Sequence, residues 1–142
     1  MFKRLKRLRP DQAAWLHAKA ALIVWSVLFL IFTPGKVESA LGWLIAGLVS
    51  LAVLAGVVLS VCGLLVSLST NIRCTLRGIN IELAGLWIAL GGLGGYFITQ
   101  LFLAFQPEGD QRIALTAFAY AMTSMLLVRI ILVREHRKRV IA

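Results

Sequence analysis

Acidic side chains are scarce in this chain. Six Asp and Glu occur among 142 residues, and none falls at the middle of a long apolar run. Proton-coupled pumps generally keep an ionisable group at that depth, because charge buried in a bilayer is expensive and is retained for work. Its absence argues against such coupling. Metal ligands are equally thin. His17 and His136 come at opposite ends of the chain, whereas a buried haem would need two histidines facing each other within the membrane. Cys62 falls within an apolar run and Cys74 in a basic connection, neither in a disulfide-forming compartment. No nucleophile sits beside a base, and no Gly-rich phosphate loop is present. The expectation is a protein that is not an enzyme and carries no cofactor or metal.

What is abundant is apolar surface. The chain is 60% hydrophobic with a mean hydropathy of +0.88, outside the soluble globular range. Four stretches, about 13–33, 40–69, 82–105 and 111–133, are each long enough to cross a hydrocarbon core of about 30 Å as a helix. The three prolines, Pro10, Pro34 and Pro107, all lie between or before these stretches, where they cannot break a span. The pattern predicts an all-α membrane protein, a single four-transmembrane-helix bundle.

Basic residues set its direction. Lys3, Arg4, Lys6, Arg7 and Arg9 precede the first span, Arg73 and Arg77 lie in the second connection, and Arg134, Arg137, Lys138 and Arg139 follow the last span. These segments hold eleven Lys/Arg, against two (Lys36 and Arg112) in the other connections. The positive-inside rule then puts both termini in the cytoplasm. Both tails (1–10, with Phe2, Leu5 and Leu8 forming one apolar stripe, and 134–142) are expected to meet anionic lipid headgroups rather than nucleic acid, for which no aromatic platform is present. The first stretch lacks a small-residue cleavage site and reads as an uncleaved anchor.

Local signals divide the helices. Asp11, Ser39, Asn80 and Asp110 are candidate N-caps, with Glu82 in the first turn of the third helix and residues 70–80 as a cytoplasmic loop. Lys19 and Arg129, close to the cytoplasmic ends of their spans, are expected to snorkel outward. The short turn at 106–110 predicts an antiparallel hairpin of helices three and four, in which residues whose numbers add to about 216 share a depth. That opposes Gln100 to Thr116, Tyr96 to Tyr120, Gly95 to Ala121 and Gly92 to Ser124.

Small residues recur at spacing four, as Ala52–Gly56–Ser60 and Gly91–Gly95–Thr99 with Gly92 adjoining. Between membrane helices, such positions let backbones approach closely. They pack the bundle internally or offer a face to a second copy. Tyr96 and Gln100 on helix three, with Thr116, Tyr120, Thr123 and Ser124 on helix four, form a polar face. It either bonds within the helices or wets a groove when copies assemble.

Two enzyme and transporter likenesses fail on residues. The layout, with glycines in helix three, resembles the small multidrug resistance transporters, but their coupling Glu in the first helix has no counterpart here. Residues 73–82 resemble the Arg/Asn/Glu motif of glutathione-using membrane enzymes, but Asn80 and Glu82 are two apart rather than three. In size, span count, polar faces and basic ending the chain resembles phage holins. That resemblance implies homo-oligomers that permeabilise a bacterial inner membrane, encoded by phage or host. The alternative is a non-catalytic accessory, scaffold or immunity-type subunit of a larger membrane complex. A small transporter or lipid-active protein is the third reading.

Overall fold

The computed structural model describes residues 10–31, 43–105 and 113–141, and these form four helices with no strand among them. They are α1 (Pro10–Ile31), α2 (Trp43–Ser67), α3 (Ile72–Ala104) and α4 (Ile113–Ile141). Three are long and apolar enough to cross a membrane: α2 over Gly47–Ser67, α3 over Ile72–Phe102 and α4 over Thr116–Ile141. The apolar run of α1, Ala14–Leu28, is shorter and contains Lys19. The expected basic N-terminal stripe, the caps Ser39 and Asp110, and the turn at 106–110 lie outside the described residues.

One boundary differs markedly from the sequence expectation. Residues 72–80 are helix, not loop, so α3 is 33 residues long and Asn80 caps nothing. The cap is Asn71, whose Oδ1 accepts the Arg73 backbone N–H at 3.0 Å, satisfying one of the first-turn donors that a helix leaves unpaired. Hydropathy misses this segment because its first turns are two-faced. Arg73, Arg77 and Asn80 are exposed, while Gly78, Ile79, Glu82 and Leu83 are buried. At the other end of the chain Pro10 is itself helical, so Asp11 sits in the first turn rather than at the cap. Helix α4 likewise runs on through the basic ending to Ile141.

The closest packing is between α2 and α3, and glycine makes it possible. A methyl built on Gly56 would lie 2.5 Å from the Ala89 amide nitrogen and 2.6 Å from the Gly85 carbonyl oxygen. Gly63 meets the backbone of Glu82 and Gly78, Gly78 meets Ser67 and Gly63, and Gly85 meets Gly56 and Ser60. Gly92 continues the line against Val49, Ala52 and Val53. The two backbones touch because no side chain intervenes. In lipid this close approach replaces the hydrophobic drive that holds soluble helices together. Each glycine costs about 1 kcal/mol of helix propensity relative to Ala, and here only hydrogen fits.

Helix α4 packs on α3 and α1 on α2. The pairs Glu82 with Arg129 and Phe97 with Tyr120 run in opposite directions along α3 and α4, so these two are antiparallel. Leu22, Val53, Val57, Leu86, Leu93, Leu126 and Ile130 fill the space between the helices. Above this layer Trp25 of α1 meets Tyr96 edge-on at 5.9 Å and Phe118 at 6.0 Å, a geometry aromatic rings favour.

Candidate functional site: a buried ion cluster beneath a basic cleft

Lys19, Glu82 and Arg129 meet in the interior. Glu82 Oε1 accepts from Lys19 Nζ at 2.7 Å, from Arg129 Nη2 at 2.7 Å and from Arg129 Nε at 3.1 Å. The side chains are 3%, 3% and 8% exposed for Lys19, Glu82 and Arg129 respectively. Neither cation snorkels, and Glu82 is not a first-turn residue, so three sequence expectations are corrected together. The reason is mutual. An unpaired ion in a low-dielectric interior costs several kcal/mol, but a carboxylate between two cations recovers much of that through attraction and hydrogen bonds. Extending α3 back to Ile72 places Glu82 ten residues along the helix, at the depth where α1 and α4 present their cations.

Further contacts hold the cations in place. Lys19 also points at the Ser60 carbonyl, 3.5 Å away. The Arg129 guanidinium lies over the Trp15 ring, 5.4 Å from its centroid, so it is gripped by carboxylate on one side and indole on the other. All four helices contribute: Trp15 and Lys19 from α1, Ser60 from α2, Glu82 from α3 and Arg129 from α4. The cluster holds two positive charges and one negative.

A cleft of about 270 Å³ leads to this cluster. Glu82 and Arg129 lie at its inner end, Leu64, Ile79, Leu132 and Val133 give it apolar walls, and Trp15, Ser67, His136 and Arg139 complete it. Arg129, His136 and Arg139 are spaced seven and three apart, hence on one face of α4. Arg139 is exposed and His136 half-buried, so the face runs from the interior to the surface. Among the described residues no group of three His, Cys, Asp or Glu is placed to hold a metal.

The small-residue positions singled out from the sequence divide between two faces. Gly56, Ser60 and Gly92 lie in the α2–α3 seam with Ala52 beside them. Gly91 and Gly95 point away, with no atom of the described residues within 4 Å of a methyl built on either, and Gly94 is equally open. Thr99 sits on that side and bonds the Gly95 carbonyl at 2.9 Å. Ala121 is exposed. Two expected pairings across α3 and α4 therefore differ in detail: Gly92 meets α2 rather than Ser124, and Gly95 meets nothing described. The seam with α2 claims the Gly78–Gly85–Gly92 line, and a helix face can serve only one neighbour at that distance.

The expected polar face also splits. Tyr96 and Gln100 are buried, at 2% and 1% exposure, whereas Tyr120 is 60% exposed. Tyr120 stacks on Phe97 at 5.7 Å, one position along from Tyr96, so the depth register expected at this end of the α3–α4 pair holds within one residue while the ring it meets is Phe97. Thr116, Thr123 and Ser124 are half-buried, and Thr123 bonds the Ala119 carbonyl at 2.7 Å. The Thr99 and Thr123 hydroxyls thus donate to backbone carbonyls of their own helices. Cys62 and Cys74 are both exposed. Of the basic ending, Arg134 lies over Trp87 at 5.9 Å, Lys138 pairs with Glu135 at 2.8 Å, Arg137 is exposed and Arg139 borders the cleft. The basic residues from Lys3 to Arg9 lie outside the described residues.

Compared with known proteins, the chain matches no family model, no curated sequence and no solved structure.

Proposed function

We propose that this chain is a non-enzymatic protein of a bacterial inner membrane, phage-encoded or host-encoded. Its four helices form a transmembrane bundle with both ends in the cytoplasm, and it acts by helix–helix self-assembly, permeabilising the bilayer in the manner of a holin. The carrying observation is the division of glycines on α3. Gly78, Gly85 and Gly92 are consumed by α2, while Gly91, Gly94 and Gly95 leave a shallow track open to another helix. Ile88 before it and Ile98 and Phe102 after it along the helix, at 46%, 66% and 71% exposure, bound that glycine patch at its two ends. Small residues on a helix face let backbones approach closely, which is how membrane helices associate without a hydrophobic drive.

A second reading, a non-catalytic scaffold, accessory or immunity-type subunit, draws on the ion cluster. Side chains from α1, α3 and α4 converge on one carboxylate oxygen, which favours a single rigid arrangement suited to a docking partner. Cysteine crosslinking separates the two. Single cysteines at Gly91 or Gly95, in a chain lacking Cys62 and Cys74, are expected to give disulfide-linked dimers in membranes when the chain is expressed alone. Monomers at every position tried would remove self-assembly and leave the subunit reading.

A further inference from the structure

We propose that the cleft above the ion cluster is a binding site for a phosphate group, most suitably the headgroup phosphate of an anionic phospholipid. This site is independent of whether the chain assembles with itself. Three observations converge on it.

The first is charge. Lys19 and Arg129 surround one carboxylate, so the cluster keeps a net positive charge at side-chain exposures of 8% or less. Buried charge without balance is costly, and an anion at the open end of the cluster supplies the balance. Glu82 also borders the cleft and would repel an anion if bare. Both cations bond its Oε1, however, so two positive charges outweigh the one negative charge of the carboxylate.

The second is a path lined with donors. Arg129 at the inner end and Arg139 at the rim project from the same face of α4, with His136 between them. A guanidinium fork is the side chain best matched to phosphate oxygens, giving charge-assisted bonds of defined direction.

The third is the character of the walls. Leu132, 47% exposed, carries apolar surface from the cleft onto the flank of α4, while Val133 lines the cleft from a buried position. An acyl chain emerging from a headgroup in the cleft would lie along that flank. At about 270 Å³ the cleft is below the size of a site for a large organic ligand, but it has room for a headgroup. A free phosphate would satisfy the charge and leave the apolar wall unused.

The test uses the purified full-length chain in a neutral detergent. Thermal unfolding is followed while short-chain phosphatidylglycerol, phosphatidylcholine of equal chain length, or inorganic phosphate is titrated in. Phosphatidylglycerol is expected to raise the midpoint saturably, and phosphatidylcholine to do so much less. Arg139→Gln removes an exposed rim side chain that the fold does not need. It is expected to weaken binding about five-fold or more, the equivalent of about 1 kcal/mol per basic group near an anionic surface. Arg73→Gln changes net charge equally but lies in the first turn of α3, exposed and outside the cleft, and is expected to leave the affinity unchanged. Saturable, Arg139-dependent binding of inorganic phosphate would support the site with a soluble source. Equal binding of phosphatidylcholine, equal loss in both variants, or no saturation with any of the three would overturn it.

Discussion

Replacing Glu82 with Gln keeps shape and removes one charge, and the consequence can be worked from the contacts. Lys19 Nζ and Arg129 Nη2 each sit 2.7 Å from Oε1. At an effective dielectric of 20, a unit pair 4 Å apart attracts by about 4 kcal/mol, and desolvation of the ions offsets much of this. The loss on breaking such a cluster is dominated by what remains. Two cations stay buried beside each other with an amide that can accept but not neutralise, and uncompensated buried charge of this kind costs about 3–5 kcal/mol. Reversible unfolding in mixed detergent micelles, followed by the fluorescence of Trp15 and its companions, measures that difference. Changing Lys19, Glu82 and Arg129 together to Met removes all three charges at similar volume and is expected to return stability to within about 1 kcal/mol of the parent or above it. If Glu82→Gln unfolds within about 0.5 kcal/mol of the parent, the cluster does not contribute as described.

The two classes of glycine are expected to part company in the same assay. Gly63→Ala drives a methyl into the backbone of Glu82 and Gly78 and should cost about 1–3 kcal/mol. Gly91→Ala meets open space and should be neutral or gain up to about 1 kcal/mol from helix propensity. Equal effects at both positions would contradict the seam. Sidedness is read at Cys74, which is exposed in the first turns of α3 beside Arg73 and Arg77. With Cys62 replaced, a membrane-impermeant maleimide should leave Cys74 unlabelled in intact cells and label it in inverted vesicles. The reverse pattern would invert the topology.

Hydropathy and charge were enough to expect four helices, because length and apolar content are additive properties of a segment. The α2–α3 seam was also written in the sequence, though in a form that spacing-four searches pass over. Gly56 and Gly63 are seven apart, as are Gly78 and Gly85, and the facing pairs (Gly56 with Gly85, Gly63 with Gly78) both add to 141. That mirror centres on Thr70 and Asn71, and marks a tight turn where a loop of eleven residues was expected. The ion cluster was not legible. Lys19 and Glu82 are 63 residues apart and Glu82 and Arg129 are 47 apart, so no local pattern links them. Each charge, taken alone near a span end, obeys the general rule that such side chains reach for water. Only the extension of α3 to Ile72 brings the carboxylate to the depth of both cations. The spacing of Arg129, His136 and Arg139 along one face of α4 was the single local hint of the cleft.

Membrane potential on induction tests the central claim, that this bundle works by assembling through α3. Expressed alone in bacteria carrying a potential-sensitive dye, the parent chain is expected to collapse the potential abruptly after a lag, as copies accumulate. The Gly91→Leu, Gly95→Leu double variant, inserted to the same level, should leave the potential intact. A parent chain that accumulates in the membrane without any loss of potential would contradict the account.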